Sequence, residues 1–414
     1  MSDITNPALY ESGEQKIEWV RRHCDLLRTL ETDAKIGFPK RQPFKGLKIA
    51  LSVHLEAKTA YLCEVLQAGG ALMYVTGSNP LSTQDDIAAA LVKHGMNVFA
   101  HHGASPEQYE KDIESVIKVG PNIIIDDGGD LVNCIHTKHP ELLPVVLGGC
   151  EETTTGILRL EQMNKAGELK FPMIRVNNAK MKHFFDNRYG TGQSVWDGIN
   201  RTTNLIVAGK TAVVAGYGWC GKGVAMRAKG LGAKVIVTEI DPVKAVEAFM
   251  DGFDIMPMDE ACKLGDVFIT VTGCCDIITE KHFKKMKDGA ILCNAGHFDC
   301  EVDVARLDKI AKKSFVARNN IIGYTLTNGN TLYVLGEGRL VNLACGDGHP
   351  AEIMDMSFAI QALSAEYLAT HNKPESLLID VPEVIDNKVA YMKLEALGKD
   401  IDTLTEKQFR YLYG

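Results

Sequence analysis

Short apolar runs alternate with amphipathic stretches along the N-terminal part of the chain. KIALSV at 48–53 is apolar and β-branched, which predicts a strand, and TAYLCEVLQAGG predicts a helix that ends at glycine. The same unit recurs in ALMYVTG, DDIAAALVKHG and NVFAHHG, and NIIIDDGGD is an apolar strand followed by an acidic, glycine-rich turn. Continuous apolar strands between amphipathic helices are typical of a parallel sheet that is covered on both faces.

A second series of strands begins near residue 205, after a stretch at 160–195 that we expect to join the two series. It comprises TAVVAGYG, KVIVTEID, DVFITVTG, AILCNAG and NIIGYTL. From HPAEIMDMSFAIQALSAEYLA onward the pattern is helical, with no strand series of its own, so this part should pack onto an existing domain. The sequence therefore predicts an α/β protein with two doubly wound parallel-sheet domains and a short helical C-terminal segment.

Composition and charge exclude several classes of protein. The 414 residues carry a formal net charge of −8, which argues against a general nucleic-acid binder, and no apolar run approaches the ~18 residues that a membrane helix needs. The polar N-terminus is not a signal peptide. The 11 cysteines contain no C-x-x-C pair and lie mostly in apolar segments, so we expect no metal, and a cytoplasmic location.

A glycine motif at the start of the second series predicts a dinucleotide site. Gly216, Gly218 and Gly221 form G-x-G-x-x-G between a strand and a helix, and Glu239 ends the next strand. The glycines permit a tight turn, close approach of a pyrophosphate and close packing of the helix. Glu239 would accept hydrogen bonds from the ribose hydroxyls, which favours NAD over NADP, although Lys244 could soften that preference.

Polar residues follow several strands. His54 and Asp127 each lie where a strand ends, which is where ligands bind in parallel sheets, and Lys182 and Asp186 are spaced i,i+4. Structural alternatives exist for each, because aspartates after strands often cap helices and a Lys–Asp pair can lie on the surface. Any one of these residues alone is more typical of a structural role.

Together, however, the motifs form an ordered pattern. NPLSTQDD, DDGGDL, HTK, EETTTG, FDNRYG, VVAGYG, GKG, TEIDP, MDEA, NAGHFD, EGRLVNL, GHP and LTEKQ make the chain resemble the S-adenosylhomocysteine hydrolase (adenosylhomocysteinase) family along almost its whole length. The resemblance implies an NAD-dependent thioether hydrolase with no net redox change. In that family the 3′-hydroxyl is oxidised, the acidified C4′–H is removed, homocysteine leaves C5′, water adds, and the ketone is reduced again.

The resemblance also implies roles for individual residues. Lys182 with Asp186 would manage the 3′-hydroxyl proton, and a lysine base needs a lowered pKa, which burial and a nearby cationic ring could supply. Asp127 and His54 are candidates for removing the C4′ proton and for acid–base work at C5′. Glu152 would bind the ribose hydroxyls.

Other residues would line the site. By the same resemblance, His297 and His349 belong to the catalytic set, with His349 near the homocysteine end. The residues expected to contact NAD, besides the three motif glycines, Glu239, Lys244 and His297, are Thr153, Thr154, Thr155, Asn187, Trp219, Cys220, Lys222, Gly223, Ala295, Gly296 and Asn342. We expect residues 1–184 and 351–385 to form the substrate-binding domain, residues 185–350 the NAD-binding domain and residues 386–414 a C-terminal segment.

The segment H-L-E-A-K-T at 54–59 departs from the usual family pattern, which resembles H-M-T-x-E-T and includes Thr59. Glu56 and Lys58 occupy the positions that contact the edge of adenine in the family. An ammonium could donate to O6 of hypoxanthine while a carboxylate accepts from its N1–H, whereas adenine presents the reverse polarity. We therefore expect S-inosyl-L-homocysteine as the preferred substrate; the alternatives are that both side chains face solvent and that the substrate is S-adenosyl-L-homocysteine.

Two further departures concern a cysteine and the C-terminus. Thr191 stands where the family often has cysteine, and the chain stops at LTEKQFRYLYG, before the tail that reaches the NAD of a neighbouring subunit in longer relatives. A homotetramer remains the expectation, with weaker retention of the cofactor. A conventional NAD-dependent dehydrogenase and a non-catalytic, NAD-sensing relative are minor alternatives.

Overall fold

The computed structural model describes residues 2–414. Eight strands form a first sheet in the order β1-β4-β3-β2-β5-β6-β7-β16, and every pairing in it is parallel. Its strands are β1 (Asp3–Ile4), β2 (Lys48–Val53), β3 (Leu72–Gly77), β4 (Asn97–Ala100), β5 (Ile123–Asp126), β6 (Gly148–Glu151), β7 (Met173–Arg175) and β16 (Leu378–Asp380). The strands predicted from the N-terminal apolar runs are confirmed.

A second sheet of eight strands has the order β10-β9-β8-β11-β12-β15-β14-β13. Its strands are β8 (Thr211–Ala215), β9 (Lys234–Thr238), β10 (Asp254–Ile255), β11 (Val267–Thr270), β12 (Ile291–Asn294), β13 (Lys313–Arg318), β14 (Ile321–Thr325) and β15 (Thr331–Leu335). This sheet is mixed, because β14 runs antiparallel to both neighbours. The connections on either side of β14 are too short for the crossover that a parallel pairing requires.

Helices cover both sheets. They are α1 (Tyr10–His23), α2 (Asp25–Thr32), α3 (Phe38–Arg41), α4 (Ala57–Ala68), α5 (Asp85–Lys93), α6 (Pro106–Ile117), α7 (Asp130–Lys138), α8 (Thr154–Lys165), α9 (Lys180–Lys182), α10 (Thr191–Thr203), α11 (Trp219–Gly230), α12 (Pro242–Met250), α13 (Met258–Ala261), α14 (Glu280–Phe283), α15 (Val304–Ile310), α16 (Val341–Ala344), α17 (Ala351–Thr370), α18 (Glu383–Ala396) and α19 (Glu406–Tyr413). The predicted α/β class with two sheets is confirmed.

The C-terminal part returns to the first sheet. Helix α17 is buried along most of its length and packs against α2 and α4, and Leu378–Asp380 adds a strand beside β7. The sequence pattern did not indicate that strand, because three residues are too few to establish an alternation. The segment 160–195 also contributes β7 to this sheet rather than serving only as a connection. The domain boundaries proposed above remain a prediction.

The carboxyl ends of the strands position the site. Strands β2, β5 and β6 end on one side of a cavity of about 1510 Å³, and β8, β9 and β12 end on the other. This is the edge at which open parallel sheets bind ligands. Among residues 2–414, no helix has the length and apolar character needed to cross a membrane.

Candidate active site

Most of the residues predicted from the motifs line this one cavity. They are His54, Glu56, Lys58, Thr59, Asp127, Glu152, Thr153, Thr154, Thr155, Lys182, Asp186, Asn187, Gly216, Gly218, Trp219, Cys220, Glu239, Lys244, Ala295, Gly296, His297, Asn342 and His349. Three predicted cofactor residues, Gly221, Lys222 and Gly223, lie behind the lining. Gly223 packs against the Arg188 backbone, and the Lys222 ammonium pairs with Glu247 at 2.6 Å.

Lys182 lies at the centre of a buried polar cluster. Its Nζ donates to Asn177 Oδ1 and Asn187 Oδ1, both at 3.0 Å, and lies 3.5 Å from Glu152 Oε1 and 3.4 Å from Asp186 Oδ2. Burial lowers the pKa of Lys182, but Asp186 and Glu152 more than offset it, so that pKa lies above its usual value. A lysine base was expected to have a lowered pKa. The protein groups around Lys182 do not lower its pKa by themselves.

Asp186 is tied to His349 and to helix α17. It reaches them from a π-helical segment, His183–Gly190, that follows α9. His349 Nδ1 lies 2.7 Å from Asp186 Oδ1, and Ser357 Oγ donates to Oδ2 at 2.7 Å. Burial raises the pKa of Asp186, but Lys182 and His349 outweigh it and hold that pKa below its usual value.

Thr191 occupies the position at which the family often has cysteine. Its Oγ1 lies 3.2 Å from His349 Nε2 and 3.6 Å from Cys220 Sγ. A thiol is therefore present beside this position, but it comes from the first turn of α11 rather than from α10. Thr191 therefore contacts the His349 ring at Nε2, whereas Asp186 contacts the same ring at Nδ1.

Asp127 joins two imidazole rings. His54 Nε2 lies 3.4 Å from Asp127 Oδ2 and His297 Nδ1 lies 3.7 Å from Oδ1, while Ser78 Oγ donates to Oδ2 at 2.8 Å. Burial raises the pKa of Asp127, but the two histidines more than offset it, and burial lowers the pKa of His54. An ionised carboxylate beside neutral imidazole is an arrangement suited to proton transfer.

The same three residues bring potential metal-binding atoms within 4.8 Å of one another. Asp127 Oδ2 already accepts a hydrogen bond from Ser78 Oγ, and His54 Nδ1 already lies 2.6 Å from Ser82 Oγ, so we assign no ion here. The expected absence of a metal remains a prediction.

Glu152 keeps one oxygen for a ligand. Gln361 donates to Oε2, whereas the buried Oε1 has no hydrogen-bond partner. Burial raises the pKa of Glu152 to about 7, against the opposing effect of Lys182. An acceptor of this kind, buried beside the cavity, is suited to a hydroxyl group of a bound sugar.

Glu56 and Lys58 face the cavity and not the solvent. Only 5% of Glu56 and 7% of Lys58 is exposed, which contradicts the alternative that both side chains point outward. Glu56 caps α4, accepting from Lys58 N at 3.0 Å and Thr59 N at 3.4 Å, and the Lys58 ammonium lies 2.7 Å from Glu56 Oε2. Lys58 Nζ also donates to Asp347 O at 2.9 Å, and Thr59 Oγ1 donates to His54 O.

The glycines on the other side of the cavity fit a dinucleotide. A Cβ at Gly218 would meet no atom within 4 Å, so the loop is open to the cavity there, whereas a Cβ at Gly221 would lie 2.0 Å from Gly216 O. Helix α11 begins directly after Gly218, and its free N–H groups suit a pyrophosphate. Glu239 accepts from Tyr217 N at 2.7 Å and Ile240 N at 2.8 Å, which fixes the carboxylate beneath the loop.

Asn342 and Lys244, which were also predicted to contact the cofactor, both line the cavity. Asn342 Oδ1 is buried without a hydrogen-bond partner, as expected of an atom that awaits a ligand. Lys244 lines the cavity beside Glu239, and its Nζ lies 3.8 Å from Asp241 Oδ2.

Several site residues were missed from the sequence. Asn177 bonds both Lys182 and Asn187, and Ser82 Oγ lies 2.6 Å from His54 Nδ1. Ser357 and Gln361 reach Asp186 and Glu152 from α17. Their signal was the spacing of Ser357 and Gln361 by four residues, which puts both on one face of a largely apolar helix.

Two family models match the chain. "S-adenosyl-L-homocysteine hydrolase" matches residues 2–141, and "S-adenosyl-L-homocysteine hydrolase, NAD binding domain" matches residues 187–348. The chain belongs to the S-adenosyl-L-homocysteine hydrolase family. This confirms the resemblance and the NAD cofactor that the motifs predicted.

Curated members of the S-adenosyl-L-homocysteine hydrolase family match over the full length. The chain is 54% identical over 413 residues to S-inosyl-L-homocysteine hydrolase of Methanocaldococcus jannaschii, which covers 100% of this chain and 98% of that protein. It is also 54% identical over 410 residues to adenosylhomocysteinase of Thermococcus kodakarensis, which covers 99% and 96%. Overall identity therefore does not discriminate between the two substrates named for these family members.

One solved structure of low sequence identity shares the fold. A dipicolinate synthase chain from Bacillus halodurans aligns with a TM-score of 0.50 at 12% identity, over 79% of this protein and 99% of that chain. At that identity the likeness concerns the fold alone.

Proposed function

We propose that this protein hydrolyses the thioether bond of S-inosyl-L-homocysteine, giving inosine and L-homocysteine, with NAD as its resident cofactor. The observation that carries the substrate preference is the buried Glu56–Lys58 pair at the start of α4, on the wall of the cavity. S-Adenosyl-L-homocysteine is the second candidate substrate, which the equal identity to adenosylhomocysteinase supports.

The free hydrogen-bonding capacity of the pair matches hypoxanthine. An ammonium has three donors, and Lys58 uses two of them on Glu56 and Asp347, so one remains for O6. Glu56 Oε2 accepts from Lys58 N and the Lys58 ammonium and Oε1 accepts from Thr59 N, so a lone pair on Oε1 remains for N1–H. Adenine would place its amino group against Lys58 and its N1 lone pair against Glu56, and both contacts would be mismatched.

On the ribose, Glu152 and Lys182 have complementary tasks. The unpartnered Glu152 Oε1 accepts a hydrogen bond from a ribose hydroxyl, and Lys182 takes the proton of the 3′-hydroxyl. When bound, NAD would supply the hydride acceptor for oxidation at the 3′ carbon and the hydride donor for the final reduction. Asp186 and Glu152 raise the pKa of Lys182. A positive charge introduced into the cavity would lower that pKa and so help this lysine to act as a base.

At C4′ and C5′ the proton transfers fall to Asp127 and His54. Asp127 remains ionised beside two histidines and is placed to remove the C4′ proton. His54, which burial keeps neutral and which lies 3.4 Å from Asp127, relays the proton that Asp127 has taken from C4′ to the departing homocysteine sulfur, and later takes a proton from the incoming water. His349, fixed by Asp186 and Thr191, lines the homocysteine end of the cavity.

We also propose a homotetramer located in the cytoplasm. Helix α12 and the residues before it expose a row of apolar side chains that includes Ile240, Val243, Phe249 and Met250, as an interface between subunits would require. Every cysteine of the chain is free, which fits a reducing compartment. Light scattering of the purified protein tests the oligomer directly, and a monomer would contradict it.

The proposed reaction differs from that of a dehydrogenase in a way that can be measured. Purified enzyme with bound NAD should release a thiol from S-inosyl-L-homocysteine without accumulating free NADH. Stoichiometric release of NADH without thiol would instead support a conventional dehydrogenase.

A further inference from the structure

Two buried carboxyl groups lie beneath the cavity without lining it. Asp126 ends β5 and Glu151 ends β6, and the two residues are partners in the register of neighbouring parallel strands. Both are fully buried. Each directly precedes a residue with a proposed role at the reacting sugar, namely Asp127 and Glu152.

One oxygen of Glu151 organises the turn that carries Asp127. Glu151 Oε1 accepts hydrogen bonds from Gly128 N at 2.9 Å, Thr153 N at 2.9 Å and Thr153 Oγ1 at 2.8 Å. Gly128 has a φ of 98° and lies so close to His297 that a Cβ would be 2.7 Å from its Nε2. The Glu151 carboxyl therefore joins the start of α8 to the turn between Asp127 and His297.

The other oxygen of Glu151 is buried without a partner. Oε2 makes no hydrogen bond, and Gly156 packs so closely that a Cβ there would lie 2.1 Å from the Glu151 carboxyl carbon. An ionised carboxylate would leave charge on an oxygen with no donor, which is costly in a buried site.

The charged groups around this carboxyl are mostly acidic. Asp126 and Asp127 face it from β5 and the following turn, Asp130 of α7 acts on the neighbouring Asp126, and Glu152 follows it in the chain. The nearby cation, Arg159 of α8, is engaged with Gly128 O at 2.6 Å and Asp130 Oδ1 at 2.8 Å. Burial and the charge of Asp126 raise the pKa of Glu151 well above its usual value.

We propose that Glu151 is a positioning residue that keeps its proton at neutral pH, holds the Asp127 turn as a neutral acceptor, and limits catalysis at alkaline pH when it ionises. Ionisation would place an unpaired charge beside Asp126 and Asp127, and the turn would have to open to water. The kinetic part of this inference rests on the proposed hydrolase function, but the part that concerns the proton does not.

The test compares Glu151→Gln with Glu151→Ala in the NAD-loaded enzyme. The amide keeps a neutral acceptor, so kcat at pH 7 should stay within about threefold of the wild-type value. Alanine removes the acceptor, and the misplaced turn should lower kcat by about 100-fold, with a smaller change in KM. The alkaline limb of the wild-type kcat profile should be absent from Glu151→Gln.

Thermal unfolding gives an independent readout. A carboxyl that is protonated in the fold but ionised in the unfolded chain loses stability as the pH rises toward its folded pKa. The Tm of Glu151→Gln should therefore rise relative to wild type between pH 6 and 9. A glutamine variant that does not fold, that loses as much kcat as alanine, or that keeps the alkaline limb would overturn the proposal. An inactive wild-type enzyme would contradict the proposed function alone, and the Tm comparison would still decide on the proton.

Discussion

The Lys58 ammonium lies 2.7 Å from Glu56 Oε2 at the buried first turn of α4, where an ordinary helix start would be solvated. The pair presents one donor and one acceptor to the cavity, and this polarity is the basis for the substrate preference proposed above. Exchanging the pair for the residue types of the usual family pattern should therefore exchange the preference.

The double variant Glu56→Thr, Lys58→Glu should shift selectivity toward S-adenosyl-L-homocysteine. We expect kcat/KM for the inosyl substrate to fall by about 100-fold or more, because polar groups in a closed site are left mismatched. The matched control is Glu260→Thr, Lys263→Glu, which breaks an exposed pair of 2.7 Å whose side chains do not line the cavity. Equal losses for both substrates in the first variant would contradict a role in reading the base.

Lys182→Ala should abolish turnover while the enzyme still folds and binds NAD. Loss of a general base costs about 10² to 10⁴ in rate, and kcat should fall by at least the lower figure. Circular dichroism and the NAD content report on folding and on the cofactor. The exposed neighbour Lys180 provides the control Lys180→Ala, which should behave as wild type. Turnover near the wild-type rate in Lys182→Ala would refute the assigned role.

Asp186→Asn should destabilise the protein at pH 7, and this destabilisation should shrink only as the pH falls below about 4. The pKa of Asp186 is lowered in the fold, so its ionised form contributes stability above the pKa of an unfolded aspartate, ~3.9, and that stability is lost as the pH falls toward the folded pKa. Breaking a buried ion pair costs about 3 kcal/mol at neutral pH. Urea unfolding at pH 7 and at pH 2.5 measures this, and a difference that is the same at both pH values would argue against the pairing with Lys182 and His349.

Gly218→Ala and Gly221→Ala should separate cofactor binding from folding. Because a Cβ at Gly218 meets nothing in the chain but points into the space for the pyrophosphate, the apoprotein Tm should be unchanged and the Kd for NAD should rise about tenfold or more. A Cβ at Gly221 would lie 2.0 Å from Gly216 O, so this variant should lower Tm as well. Calorimetric titration with NAD checks both, and unchanged affinity in Gly218→Ala would place the dinucleotide elsewhere.

The sequence predicted the parts of the fold that have strong local signals. Strands such as Lys48–Val53 and Thr211–Ala215 are apolar runs next to glycine turns, and the segments after them hold most of the site. NIIGYTL predicted the strand β14, but its antiparallel direction was missed because an apolar run carries no information about strand direction. Leu378–Asp380 was missed because it is short.

The sequence indicated which residues form the site, but it gave less information about the groups that surround each of them. The i,i+4 spacing of Lys182 and Asp186 indicated a pair, but not that Asn177, Asn187 and Glu152 also surround the ammonium. The direction of the Lys182 pKa depends on whether two carboxylates outweigh burial, which only the packed structure can decide. Contacts from α17 to Asp186 and Glu152 join residues far apart in the chain, so local patterns could not reveal them.

The ratio of kcat/KM for the two candidate substrates, measured with one preparation of purified, NAD-loaded enzyme, tests the proposed specificity most directly. A thiol-release assay with S-inosyl-L-homocysteine and S-adenosyl-L-homocysteine at pH 7 gives that ratio. The Glu56–Lys58 pair predicts a ratio in favour of the inosyl compound of roughly tenfold or more. Equal values for the two substrates, or a ratio in favour of the adenosyl compound, would contradict the proposed specificity.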